Sequence, residues 1–142
     1  MSEQMEGLPG PALEVTTAGY WLAAGAGRLV IQRCDACGTH RHPPTEVCYA
    51  CQSLDWSWDE LSGTGHVYSY TWTDRPVTPQ LQHLGVYNIA VVELDGTQGE
   101  PVRLLTRIVD VERDNLVVDL PVVVTFDRVD DQVALPIFRP RT

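Results

Sequence analysis

Four cysteines fall into two CxxC pairs, Cys34 with Cys37 and Cys48 with Cys51, separated by ten residues. Two residues between thiolates let one tight turn aim both sulfurs at a single ion. Two such knuckles build a closed tetrahedral site of structural type. Gly38 follows the first pair and suits the left-handed residue that a knuckle needs. The spacer is shorter than the roughly 15 to 20 residues of common ribbons. The segment from Cys34 to Cys51 is too polar to carry its own core, so a metal is what it needs to hold its shape. Zinc is favoured because the site needs no redox role, and the same sulfurs can hold a single iron. A closed site leaves no open position for water or substrate, which points to scaffolding rather than catalysis.

Other uses of the cysteines fit less well. A disulfide framework suits a small secreted chain, but Met1 to Gly10 contains two glutamates and no apolar leader core. A redox CxxC normally occurs once, at the start of a helix that follows a strand. No run approaches the roughly 18 to 20 apolar residues of a membrane span. A soluble cytoplasmic protein is expected.

The charge is lopsided: 19 acidic residues face ten basic ones, all arginine, for a net charge of −9. That balance argues against non-specific nucleic-acid binding, whose affinity comes mostly from neutralising phosphates. Without lysine, Schiff-base chemistry is excluded. The 142 residues allow one domain or two very small ones, and 44% hydrophobic content supports a real core.

Residues 1 to about 14 read as a loose leader rich in Gly and Pro. Thr16 or Thr17 caps a short helix containing Tyr20, Trp21 and Leu22, and Gly25 and Gly27 stop it. Leu29 to Ile31 form a short strand entering the first knuckle. Pro43 and Pro44 suit a rigid turn between the knuckles. Trp56 and Trp58 alternate with polar neighbours as a half-buried strand does. Ser62-Gly63-Thr64-Gly65 is a turn, and Arg75 to Pro79 breaks the strand that follows. Strands are predicted at His66–Thr73, Tyr87–Leu94, Val102–Val109, Val122–Arg128 and Val133–Phe138, with a link over 110–120. Five short strands without an intervening helical period fit a small closed barrel of OB type, with a sandwich or open sheet as the alternative. The expected organisation is mostly β: a leader and short helix over 1–28, a ribbon over 29–58 and a five-stranded barrel over 59–142.

The chain carries no GxSxG, HExxH or GxxxxGK[ST] motif. His40 and His42 lie inside the ribbon, where four cysteines already supply a full ligand set. His66 can serve as a base near Asp74, although an ordinary exposed strand position is the preferred reading. His83 sits in the loop between the first two barrel strands, where OB-folds commonly contact ligands, and is a candidate partner or substrate contact. Asp59-Glu60 and Asp130-Asp131 are poor dyads, because neighbouring strand residues point to opposite faces. No catalytic residue is assigned.

The chain resembles the acyl-CoA-associated proteins that join a rubredoxin-like zinc ribbon to an OB-fold, a former domain-of-unknown-function family. The likeness is carried by Tyr20-Trp21, Leu29-Val30-Ile31-Gln32-Arg33-Cys34, Cys37-Gly38 and Pro43-Pro44. It continues through Cys48, Cys51, Ser62-Gly63-Thr64-Gly65, Val67-Tyr68-Ser69-Tyr70-Thr71 and Leu135-Pro136-Ile137-Phe138-Arg139-Pro140, covering roughly residues 18 to 140. Many relatives have lost the cysteines, whereas all four remain here. The resemblance implies a small subunit of a thiolase-fold enzyme acting on acyl-CoA thioesters. Such enzymes include acetoacetyl-CoA thiolases, acyltransferases and lipid-transfer-protein-like aldolases that trim steroid side chains. Some family members are fused to, or assembled with, hydratases of the hot-dog fold.

The resemblance therefore implies an accessory subunit that is not an enzyme alone, with ribbon and helix as docking surface and the barrel beside the acyl-CoA entrance. Guanidinium groups pair bidentately with phosphate oxygens, so Arg75, Arg103, Arg107, Arg139 and Arg141 are candidates for CoA contact. Each is weighed against a simple surface arginine or ion pair. Tyr20 and Trp21 are candidate partner contacts, weighed against packing on the chain's own ribbon. The competing expectation is a nucleic-acid module in which Trp56, Trp58, Trp72, Tyr68 and Tyr70 stack on bases. A stand-alone enzyme using the Cys-bound metal ranks last.

Overall fold

A computed structural model describes residues 10–75 and 78–142. Most of the expected leader, and Pro76 in the expected strand break, lie outside the described residues. The first element is helix α1 (Ala18–Gly25), with Thr17 at its N-cap position. The Thr17 hydroxyl accepts the Glu14 N–H at 3.2 Å and caps no helical N–H. At the other end the Gly27 N–H donates to the Ala24 carbonyl at 2.9 Å and the Arg28 N–H to the Ala23 carbonyl at 2.9 Å. That double closure requires a left-handed residue, which Gly27 supplies with φ +79°.

Three strands form the ribbon sheet: β1 (Val30–Cys34), β2 (His40–Arg41) and β3 (Trp56–Glu60), in the order β2-β1-β3 and antiparallel throughout. Five more form the second sheet: β4 (Thr64–Thr73), β5 (Tyr87–Leu94), β6 (Arg103–Thr106), β7 (Pro121–Arg128) and β8 (Ala134–Pro140). Their order is β6-β5-β4-β7-β8. Register along β4 passes from Val67 opposite Val92 to Ser69 opposite Val91, so Tyr68 is an extra residue. Such a bulge bends and twists its strand, which helps the sheet curl.

The strand expected over Val102–Val109 ends instead at Thr106. Beyond that point the chain leaves β5 and turns to β8. The Val109 N–H donates to the Phe138 carbonyl at 2.8 Å, and the Phe138 N–H to the Arg107 carbonyl at 3.1 Å. This parallel bridge, Ile108 beside Phe138, curls the sheet into the OB-like barrel. The link over 110–120 contains one short 3-10 turn, Arg113–Asn115.

One core runs through both sheets. Leu29 and Ile31 of the ribbon segment, Tyr20 of α1, and Val67, Leu116, Val122 and Phe138 of the barrel pack as a single cluster. Each fully buried aliphatic or Phe side chain contributes about 1.5–3 kcal/mol. Gly63, at φ +83°, lies against Val124 so closely that a Cβ would collide with its side chain. The small turn residue thus serves both conformation and packing. Among the described residues no helix is long and apolar enough to cross a membrane.

Candidate metal centre and apolar groove

The two knuckles repeat one backbone pattern. Gly38 N–H donates to the Cys34 carbonyl at 2.9 Å, and Gln52 N–H donates to the Cys48 carbonyl at 2.9 Å. Gly38 has φ +80° and Gln52 has φ +67°. The second knuckle therefore forces a side-chain-bearing residue into a conformation that costs about 1–2 kcal/mol. That strain persists only where the surrounding structure fixes the turn.

The four sulfurs converge. All lie within 4.8 Å of one another, with Cys34 Sγ 3.6 Å from Cys51 Sγ and Cys37 Sγ 3.7 Å from Cys48 Sγ. A tetrahedron with metal–sulfur bonds of ~2.3 Å has edges of ~3.8 Å. A disulfide would need about 2.05 Å. Without a cation the thiols cannot all ionise together. The Thr39 hydroxyl and N–H draw the Cys37 thiol down to about 6. At Cys51 the Ser53 N–H acts downward, but the neighbouring Cys34, Cys37 and Cys48 groups and burial outweigh it and push the thiol up to about 12. A bound cation removes that conflict, so the donor set fits a structural metal.

Polar contacts of the ribbon outside the sulfur cluster tie it to the barrel. His40, almost fully buried, lies with Nε2 2.7 Å from Asp59 Oδ2 and accepts the Gln98 N–H on Nδ1 at 2.9 Å. An accepting Nδ1 leaves the proton on Nε2, which donates to the carboxylate. The buried Gln32 amide donates to the Thr45 carbonyl at 2.7 Å and accepts the Thr45 N–H at 2.9 Å, fixing the loop between knuckles. Tyr49 Oη accepts the Glu100 N–H at 3.0 Å, a second link to the barrel. His42 stacks toward Tyr20, with ring centroids 5.2 Å apart. Both ribbon histidines thus have structural surroundings away from the four-sulfur cluster.

A separate apolar groove of about 270 Å³ runs between α1, the 3-10 turn Pro79–Leu84 and strands β5, β6 and β8. Trp21, Leu81, Leu84, Ile89, Leu105 and Ile137 supply most of its apolar wall. Leu105 is 76% exposed, unusual for a leucine on a strand. Arg107 is the cation on this wall, with its guanidinium 3.2 Å from the fully buried Asp127 carboxylate. Burial pushes the Asp127 carboxyl above its ordinary value, and Arg107 opposes that shift.

Of the residues expected to contact CoA or a partner, Tyr20, Trp21 and Arg107 gather at this groove. His83 is exposed on the 3-10 turn that forms one wall. Arg103 lies elsewhere, bonded to Glu93 at 3.1 Å and stacked 3.8 Å over the Tyr68 ring. Arg75, Arg139 and Arg141 are exposed and do not line the groove. His66 faces Glu93 at 3.4 Å, whereas Asp74 pairs with Arg113 at 2.8 Å, so the His66–Asp74 pairing does not form. The aromatic residues proposed to stack on bases divide between two sheets, Trp56 and Trp58 on β3 and Tyr68, Tyr70 and Trp72 on β4. Trp56 and Trp58 pack on each other edge-to-face at 5.1 Å, and Trp72 sits under Arg113 at 5.5 Å. Leu105 and Asp127 escape sequence reasoning, since an apolar strand residue ordinarily reads as core and an aspartate as surface.

Two family models match end to end: the ChsH2 rubredoxin-like zinc ribbon domain over residues 21–57 and the ChsH2 C-terminal OB-fold domain over residues 58–127. The chain belongs to the ChsH2/DUF35 family. A solved ChsH2 relative, in a structure described as an Ltp2-ChsH2(DUF35) aldolase, is 40% identical with a TM-score of 0.80; the match covers 92% of this chain and 98% of that one. A DUF35 domain-containing scaffold protein of Methanocaldococcus jannaschii is 30% identical over 105 residues, covering 72% of this chain and 70% of the relative. A probable enoyl-CoA hydratase alpha subunit of Thermomonospora curvata is 42% identical over 132 residues. That match takes in 93% of this chain, which spans 40% of the relative's length. A DUF35 structure from Sulfolobus solfataricus shares the fold at 14% identity and a TM-score of 0.58.

Proposed function

We propose that this ChsH2-type chain is a non-catalytic accessory subunit of a thiolase-fold acyl-CoA enzyme, an aldolase or thiolase acting on steroid or fatty side chains. The observation that carries this reading is the groove with its exposed Leu105, an apolar surface on rigid elements. A concave apolar surface of this kind is one that a partner or an acyl chain can cover. The aldolase and scaffold relatives support the same role.

Under this reading the units are the leader and helix over 1–28, the zinc ribbon over 29–58 and the OB barrel over 59–142. Zinc, held by Cys34, Cys37, Cys48 and Cys51, fixes the ribbon. Tyr20, Trp21 and Arg107 meet the partner or border its acyl-CoA site, and the hetero-oligomer works in the cytoplasm. Nucleophile and base belong to the partner. The metal-loaded chain alone should show no thiolase or aldolase turnover, and turnover should appear when the partner is added. Robust turnover from the chain alone would contradict the proposal.

A further inference from the structure

A second cavity, of about 260 Å³, lies in the seam between ribbon and barrel and shares no lining residue with the apolar groove. Arg41, His42, Thr45 and Tyr49 line it from the ribbon, and Glu100 and Val102 from the barrel. Arg41 is only 5% exposed. Its Nε donates to Thr45 Oγ1 at 3.0 Å and its Nη2 to the Thr45 carbonyl at 2.9 Å. Nη1 is buried with no partner, and among the described residues no carboxylate lies within 4.0 Å of this guanidinium.

A guanidinium stays protonated in a protein, so this is a permanent charge removed from water without a counter-ion. Buried charges are normally paired, because taking an ion out of water without a partner is strongly unfavourable. Thr45 is neutral and offsets only part of that cost. Two further donors share the cavity. Among the described residues His42 Nδ1 is also without a partner, and it donates when the ring is in its Nδ1–H tautomer. Tyr49 Oη accepts the Glu100 N–H at 3.0 Å, which leaves the phenolic proton available to donate. One carboxylate, Glu100, stands on an exposed residue of the wall. The buried wall is thus positive and donor-rich.

We propose that this seam binds a small oxyanion, a carboxylate or phosphoryl group, through the Arg41 guanidinium with His42 and Tyr49 as auxiliary donors. Two N–H groups of one guanidinium fit two oxygens of either group. The volume holds such a group with several waters, each of which takes ~30 Å³. The assignment does not depend on the partner reading, because it concerns a different cavity and needs no second protein.

The test is an amide-resolved NMR titration of the metal-loaded full chain with inorganic phosphate and, separately, acetate, chloride keeping ionic strength constant. Saturable shifts are expected at Thr45, Tyr49 and Glu100, while Val124 on the barrel stays still. Saturation by phosphate alone assigns a phosphoryl ligand, and by acetate alone a carboxylate; either supports the site. Arg41→Met should weaken saturation at least tenfold. His42→Phe, which keeps a ring beside Tyr20, should weaken it about threefold and serves if Arg41→Met does not fold. Linear, non-saturating shifts with both anions would overturn the proposal. So would unchanged saturation in a folded Arg41→Met chain.

Discussion

The side-chain amide of Asn88 holds Ile108 from both directions: its Oδ1 accepts the Ile108 N–H at 2.7 Å, and its Nδ2 donates to the Ile108 carbonyl at 2.8 Å. Asn88 lies on β5 and is buried. Its side chain thus replaces the backbone partner that Ile108 lacks where the chain leaves β5 for β8. Asn88→Leu strands two buried backbone groups, each costing about 1–3 kcal/mol. The expected loss is about 2–4 kcal/mol, read as a lower urea midpoint with an unchanged slope.

Metal removal should spread beyond the knuckles. His40 bonds Gln98 and Tyr49 bonds Glu100, so the ribbon is fastened to the β5–β6 connection. Metal analysis should give one zinc per chain. Chelation, or Cys48→Ser, should erase amide-exchange protection at Gly38 and Gln52 and lower it at Gln98. Loss confined to the knuckles would mean that the two sheets are energetically separate.

Half-buried His42 and fully buried Asp127 predict opposite pH effects. Burial pulls His42 from its ordinary 6.5 down to about 4. The folded state therefore binds that proton less tightly than the unfolded chain. Its stability contribution is full above about pH 6.5 and is lost as pH falls toward 4, by about 3 kcal/mol. His42→Phe should flatten that acid limb. For Asp127, burial raises the folded value above the ordinary 3.8 despite Arg107. Its contribution is present below the unfolded value and is lost as pH rises through the raised folded one. Asp127→Asn should remove that opposing slope. Urea titrations across pH measure both.

Helix docking has a sharp steric test. A Cβ on Gly25 would collide with the Gln132 carbonyl, and the Arg128 guanidinium donates to the Gly25 carbonyl beside it. Gly25→Ala must push α1 off the β7–β8 connection, at an expected cost of about 1–3 kcal/mol. Thermal melts should show that loss, and Gly27→Ala should add only left-handed strain, since no described residue lies within 4 Å of its Cβ position.

The local elements were largely legible in the residues. Paired CxxC spacing marks the ribbon, and β-branched and aromatic runs mark β4, β5 and β7, with β5 matching Tyr87–Leu94 at both ends. What escaped was long-range. β6 ends early because a single side chain, Asn88, captures Ile108, and no periodicity encodes that exchange. The groove gathers Trp21, Leu84, Leu105 and Ile137 from four segments, so its apolar character is invisible until the barrel closes. Arginines ordinarily lie at the surface, and nothing local in the sequence marks Arg41 as the buried one that Gln32 and Thr45 cover with the knuckle loop.

The most direct measurement is co-purification of the tagged, metal-loaded chain from its native cell at low salt, beside a Leu105→Glu variant, with bound proteins identified by mass. A thiolase-fold acyl-CoA enzyme should come down in fixed ratio with the unmodified chain. The variant should lose that enzyme while its metal content and circular dichroism stay unchanged. Recovery of no such enzyme, or its equal retention by the variant, would contradict the accessory-subunit role.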